Sequence, residues 1–130
     1  MIIVDDRLSL EALGGRLAMD EPPATTWTFH YRLLRALHDG GRWGSLSRTA
    51  TQDALRVATE PPSSRLQVLD PRPFTGEAAV LAVRHGLNLL AAELMAAARH
   101  HRAGVHLSAP NIGRRWPEVM AAEGIDLTVV

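Results

Sequence analysis

The sequence predicts an α/β domain: a three-layer sandwich in which helices cover both faces of a short parallel sheet of four strands. Three observations carry that expectation. Ile2-Ile3-Val4 is an unbroken β-branched run of the kind a strand buried on both faces needs, and it stops abruptly at Asp5-Asp6. Short apolar runs recur at residues 66–69, 105–107 and 127–130. The segments between them have helical periodicity, and strands separated by helices become parallel neighbours through right-handed crossovers. A chain of 130 residues suits one domain, 1–130, that buries a core without staples.

After the first strand, Leu8, Leu10, Ala12 and Leu13 make a short helix that Gly14-Gly15 stops. Asp20-Glu21-Pro22-Pro23 is a turn, because two prolines interrupt regular hydrogen bonding. Thr25 or Thr26 then caps a helix whose Trp27, His30, Tyr31, Leu33, Leu34 and Leu37 form one wide apolar face, ended by Asp39-Gly40-Gly41. Ser47 caps a further helix running to about Ala58, and Glu60-Pro61-Pro62-Ser63-Ser64 is a loop. The strand at 66–69 ends at Asp70, with Pro71 and Pro73 preventing extension.

Thr75 caps the next helix, which Gly86 ends; Asn88 caps the longest one, roughly residues 89–102, with Leu90, Leu94, Ala97, Ala98 and His101 along one stripe. The strand at 105–107 leads into the polar turn Ser108-Ala109-Pro110-Asn111, on the same sheet edge as Asp5. A helix from Pro117 to Glu123 stops at Gly124 before the last strand.

Composition excludes several chemistries. There is no cysteine, hence no disulfide framework or thiolate site, and no lysine, hence no Walker-type phosphate loop or Schiff base. Fourteen arginines balance fourteen acids, which argues against a dedicated nucleic-acid binder of strong basic excess. No apolar run reaches membrane-spanning length and no signal-peptide layout opens the chain, so the expectation is a cytoplasmic protein without a membrane partner.

Ligands of open parallel sheets bind beyond the carboxyl ends of the strands. Asp5 and Asp6 stand there, and carboxylates on a strand edge suit magnesium or manganese; the alternative is that one of them caps the helix near Leu8. Glu93, a lone charge among Ala and Leu, must be paired, bound to metal or turned to solvent. His100-His101 fit a helix C-terminus better than a metal site. Trp27, Tyr31 and Trp116 could stack bases, although Trp27 and Tyr31 lie on the helical face assigned to the core. Arg114-Arg115 are placed for phosphate contact or for solvent.

With the elements in this order, the chain resembles the PIN domain superfamily, which includes metal-dependent ribonucleases such as toxins of bacterial toxin–antitoxin pairs. The resemblance runs through Met1-Ile2-Ile3-Val4-Asp5, Ala24-Thr25-Thr26, Tyr31-Arg32-Leu33-Leu34-Arg35-Ala36-Leu37, residues 82–94 and Gly104-Val105-His106-Leu107-Ser108, ending with Gly124-Ile125-Asp126-Leu127. It looks closest to a small actinobacterial group carrying a Leu-Asn-Leu-Leu-Ala-Ala-Glu segment.

The resemblance implies three or four acids around one or two metal ions. Asp5 matches the first. The place of the second holds Arg32; that of the third is near Ala91, with Glu93 close but out of register; that of the fourth holds Ser108 and Asn111. The activity it implies is that of a ribonuclease with an incomplete acidic site. Asp5 and Glu93 would be catalytic, Asp5, Asp6 and Glu93 would bind magnesium or manganese, and Ser108, Asn111, Arg32 and Arg114 would meet substrate. The alternative is an inactive PIN-like module binding RNA or a protein, such as an antitoxin-like chain, and the apolar excess on the Trp27 and Leu89 helices fits a homo-oligomer. Asp5→Asn should abolish metal binding under the first reading and be neutral or slightly stabilising under the second.

A weaker resemblance, to phosphorelay receivers, rests on Ile2-Ile3-Val4-Asp5-Asp6 and Val68-Leu69-Asp70-Pro71. It fails for want of the lysine those domains require, and the interval from Asp6 to Asp70 is too long for the receiver pattern.

Overall fold

The structure is a computed structural model that describes residues 1–39, 48–59 and 65–130. Its elements in chain order are β1 (Ile2–Val4), α1 (Asp6–Leu13), β2 (Ala24–Thr25), α2 (Trp27–His38), α3 (Arg48–Thr59) and β3 (Gln67–Val68), then α4 (Thr75–His85), α5 (Leu89–His101), β4 (Gly104–Leu107), α6 (Trp116–Ala122) and β5 (Leu127–Val129). The expected helix stop at Gly40-Gly41, the Ser47 cap and the 60–64 loop lie outside the described residues.

All strand pairs are parallel, in the order β3-β2-β1-β4-β5. The β-branched run is therefore an internal strand, paired in register with β4 as Ile3 to Val105 and Val4 to His106. Among the described residues the sheet has five strands rather than four. The extra one, β2, is two residues between Pro23 and the helix cap Thr26, too short to show any periodicity. Main-chain and hydroxyl bonds hold it in place: Gln67 donates its N–H to the Pro23 carbonyl at 3.0 Å, and Thr25 Oγ1 donates to the Val4 carbonyl at 2.8 Å.

Alternate residues of β1 face opposite ways. Ile3 joins a buried cluster with Val105, Leu107 and residues of α4, α5 and α6, including Leu81, Leu94 and Met120. Val4 joins a second cluster with Leu8, Leu13, Leu33, Leu37 and Ala54 from α1, α2 and α3.

Two helices differ from their sequence patterns. Residues 91–98 of α5 are all buried, so this helix is surrounded rather than striped. Its alanines let α4 and the sheet approach closely on several sides. In α2 the inward positions are Phe29, Leu33, Ala36 and Leu37, and Trp27 and Tyr31 project away, each 62% exposed. They are not core residues, because the spacing that packs Phe29 and Leu33 turns them outward.

The caps at Thr26 and Asn88 form as expected, accepting from Phe29 N and Ala91 N, and Gly86 ends α4 in the left-handed conformation at φ 66°. Thr75 is not a cap. A 3-10 turn at Arg72–Phe74 leads straight into α4, and Thr75 Oγ1 donates back to the Pro71 carbonyl at 2.7 Å. Arg102, not glycine, ends α5 at φ 51°. His100 and His101 pack against Phe74 in tilted and edge-on arrangements, with ring centroids 5.7 and 5.9 Å away. Among the described residues no helix is long and apolar enough to cross a membrane.

Candidate functional site at the carboxyl edge

The chain proceeds outward from β1 to β2 and β3, then returns to place β4 on the other side of β1. That reversal opens a crevice between the carboxyl ends of β1 and β4, where open parallel sheets bind their ligands. Asp5 follows β1 and Ser108 follows β4. Both are buried.

Asp5 is saturated by donors. Its Oδ1 accepts from Leu8 N at 2.9 Å and so caps α1, while its Oδ2 accepts from Ser108 N at 2.7 Å, Ser108 Oγ at 2.5 Å and Asn111 Nδ2 at 2.9 Å. Its main-chain carbonyl accepts from Ser9 Oγ at 2.7 Å. Four donors on one carboxylate compensate the burial of a charge that would otherwise be prohibitive. They also fix the loop after β4 to the end of β1.

Asp6 is held differently. Its Oδ1 accepts from Asn111 Nδ2 at 2.6 Å and Arg7 N at 3.0 Å, so Asn111 bridges the two carboxylates with one amide nitrogen. Its Oδ2 is buried with no hydrogen bond, although Arg32 Nε stands 3.3 Å away as an ion-pair partner without hydrogen-bonding alignment. Burial is the main influence on Asp6 and pushes its pKa up; the Arg32 charge opposes this, the Asp5 charge adds to it, and the Asn111 and Arg7 bonds oppose it. The Arg32 guanidinium also lies 5.8 Å from the centre of the Phe29 ring.

Of the residues singled out from sequence, Asp5, Asp6, Ser108, Asn111 and Arg32 meet in this network. Glu93 is elsewhere engaged. Its Oε1 accepts from Thr28 N at 2.9 Å, placing a buried carboxylate at the N-terminus of α2, where the helix leaves N–H groups unsatisfied. Arg114 is exposed on the loop after β4, and its neighbour Arg115 donates to the His85 carbonyl at 3.0 Å. Sequence reasoning missed Ser9 and Thr28. Ser9 carried a faint signal, a hydroxyl four residues after Asp5 at a helix start; the Thr28 contact spans 65 positions and had none.

A divalent ion is a poor fit to this arrangement. Among the described residues no three His, Cys, Asp or Glu side chains form a group able to hold one. Both Asp5 oxygens already serve protein donors, and the Arg32 cation occupies the open side of Asp6. The donor-rich setting argues against the expectation that Asp5→Asn is neutral, since an asparagine would meet four donors with a single acceptor oxygen. Asp70, at the end of edge strand β3, is two strands from Asp5 and pairs with Arg72 at 2.7 Å, so no receiver-like acid cluster forms.

No protein-family model matches the chain, and no curated protein matches it in sequence. Among solved structures it is similar to the crystal structure of PAE2754 from Pyrobaculum aerophilum, with a TM-score of 0.58 and 20% identity over 97% of this chain and 89% of that one. The likeness is one of fold: an α/β domain built on a parallel sheet.

Proposed function

We propose that the chain is a PIN-like three-layer domain that binds single-stranded RNA without cleaving it. The observation that carries this reading is the full commitment of the Asp5 carboxylate to protein donors, which turns the position of a first metal-binding acid into a structural tie. The elements that supply this network also carry exposed groups suited to unpaired bases. Trp27 and Tyr31 project one turn apart from α2, Arg32 and Arg35 lie on the same helix, and Arg114 is exposed on the loop after β4. Aromatic faces with arginines beside them stack bases and meet phosphates without reading sequence.

Fluorescence anisotropy with a labelled single-stranded RNA tests this. Expected are salt-dependent binding, a loss of roughly 1–3 kcal/mol for Trp27→Ala or Tyr31→Ala, and no cleavage with magnesium or manganese. Manganese-dependent cleavage that Asp5→Asn abolishes would overturn it. So would binding only to a protein, an antitoxin-like chain or a second copy, through the exposed Trp27, Tyr31 and Leu89.

One observation favours the ribonuclease as a second reading. Asp6 Oδ2 is buried without a hydrogen bond, and its ion-pair partner Arg32 is 41% exposed, so this carboxylate oxygen is the one at the site not committed to a protein donor.

A further inference from the structure

Parallel sheets are ordinarily covered on both faces. Here the pairings set Ile2 and Val4 of β1 on the same face as His106 of β4 and Thr128 of β5. The buried cluster on that face takes its sheet residues from β1 alone, as Val4 with Ile2 packed against it; the β4 and β5 residues of the core all belong to the other cluster. Among the described residues, the β4–β5 half of this face has no helix packed against it.

A cavity of about 640 Å³ occupies that place. Its floor is Ile2, Val4, His106 and Val130, and Leu8 and Leu17 form an apolar wall. The volume lies within the range of small-molecule sites, which pair an apolar lining with a few polar groups. Here the polar groups are the His106 imidazole on the floor and the adjacent Asp20 and Glu21 at the rim. Both acids are exposed, and neither forms an ion pair among the described residues. Of the nearby cations, Arg16 is held by Glu11 at 2.9 Å and Arg65 donates to the Leu13 carbonyl at 2.7 Å. Arg65 keeps its charge near both acids, and two carboxylates against one guanidinium leave the mouth net negative over an apolar floor.

We propose that this cavity is a binding site for a small organic amine, with its aryl or alkyl body over Ile2 and Leu17 and its ammonium at Asp20 and Glu21. The body removes apolar sheet surface from water, and the rim acids select the cation against a neutral or anionic molecule of the same shape. His106 offers a ring nitrogen to an N–H of the ligand. The site meets the Asp5 network only at Leu8, whose side chain lines the cavity and whose N–H caps onto Asp5, and it uses none of the groups assigned to RNA, so it stands or falls independently of RNA binding.

The test is an amide NMR titration of the full chain with phenethylammonium, and with 2-phenylethanol and phenylacetate as neutral and anionic counterparts. Expected are saturable shifts for the amine centred on Ile2, Leu17, His106 and Val130, weaker binding of the alcohol and none of the carboxylate. The Asp20→Asn/Glu21→Gln variant changes only exposed side chains, keeps the wild-type melting temperature and binds the amine roughly three- to tenfold less well. Absence of saturable shifts, equal binding of phenylacetate, shifts centred elsewhere, or an unchanged affinity in the double variant would each overturn the proposal.

Discussion

Asp5→Asn replaces one oxygen of the most heavily hydrogen-bonded side chain of the site with an NH₂ group. The wild-type carboxylate offers only acceptors, and all four partners are donors. The best placement of the asparagine keeps its oxygen towards Ser108 and Asn111 and points its NH₂ at the N–H of Leu8. That sacrifices the α1 cap, typically about 1 kcal/mol, and leaves Leu8 N–H facing a second donor. The three remaining bonds also lose their charge assistance, which separates roughly 1.5–3 kcal/mol for a bond to a charged group from about 1 kcal/mol for a neutral one. Together these give a destabilisation of about 3 kcal/mol, a large part of the 5–15 kcal/mol typical of a domain. Urea unfolding at pH 7 measures it, with an unchanged m-value showing that the compactness of the two states is preserved. A change below about 1 kcal/mol, or a gain, would refute the reasoning. So would a manganese-dependent rise in the wild-type melting temperature that the variant lacks, since a ligand that binds only the folded state raises its stability.

Asp6→Asn should behave in the opposite way: at pH 7 it should be neutral or stabilising by up to about 1 kcal/mol, because it removes a buried charge while its oxygen still accepts from Asn111 and Arg7. Because the folded pKa of Asp6 is raised, wild type is favoured relative to the variant below the ordinary value of 3.8 and loses that advantage as pH rises through the raised value, which denaturation at several pH values will show. Glu123 is the reverse case. Its pKa is lowered chiefly by the His85 bond, with Arg84 and Arg99 adding to it, so Glu123→Gln should cost about 1 kcal/mol at pH 7, a difference that fades as pH falls below 4.5 through the folded pKa. Arg102→Gly should raise stability by roughly 0.5–1 kcal/mol in thermal melts, since the helix end at φ 51° strains any residue with a β-carbon. Gly113→Ala should destabilise by about 1–3 kcal/mol, because its β-carbon would fall on the buried indole of Trp116 and force the ring to move.

The fold was legible where local composition and tertiary role agree. Ile3 and Val4 of the first strand need two covered faces and receive them, and the helices after Thr26 and Asn88 begin at side chains that can cap them. It was illegible where tertiary contacts supply what the local sequence lacks. Strand β2 exists because Thr25 and the Pro23 carbonyl are bound by neighbours far along the chain. Helix α5 shows the limit of reading a stripe from periodicity, since alanine suits both an exposed flank and a close interior contact. The same ambiguity misassigned Trp27 and Tyr31: the apolar residues of α2 outnumber the positions that face the core, and only packing shows which of them turn outward.

The site was legible as a place but not as a chemistry. Two adjacent aspartates at a strand end mark the carboxyl edge whatever they do there, and the residue names do not distinguish a metal ligand from a cap. The distinction lies in which hydrogen-bonding partners arrive from elsewhere. Ser108 and Asn111 come more than one hundred positions later and bring donors, where a further carboxylate would have brought repulsion that only a cation could relieve. Once donors surround Asp5, an ion would have to displace the Ser108 and Asn111 bonds and expel the Arg32 guanidinium before its own coordination gained anything. The Ser108 and Asn111 donors, by contrast, join the ends of β1 and β4 through Asp5 directly.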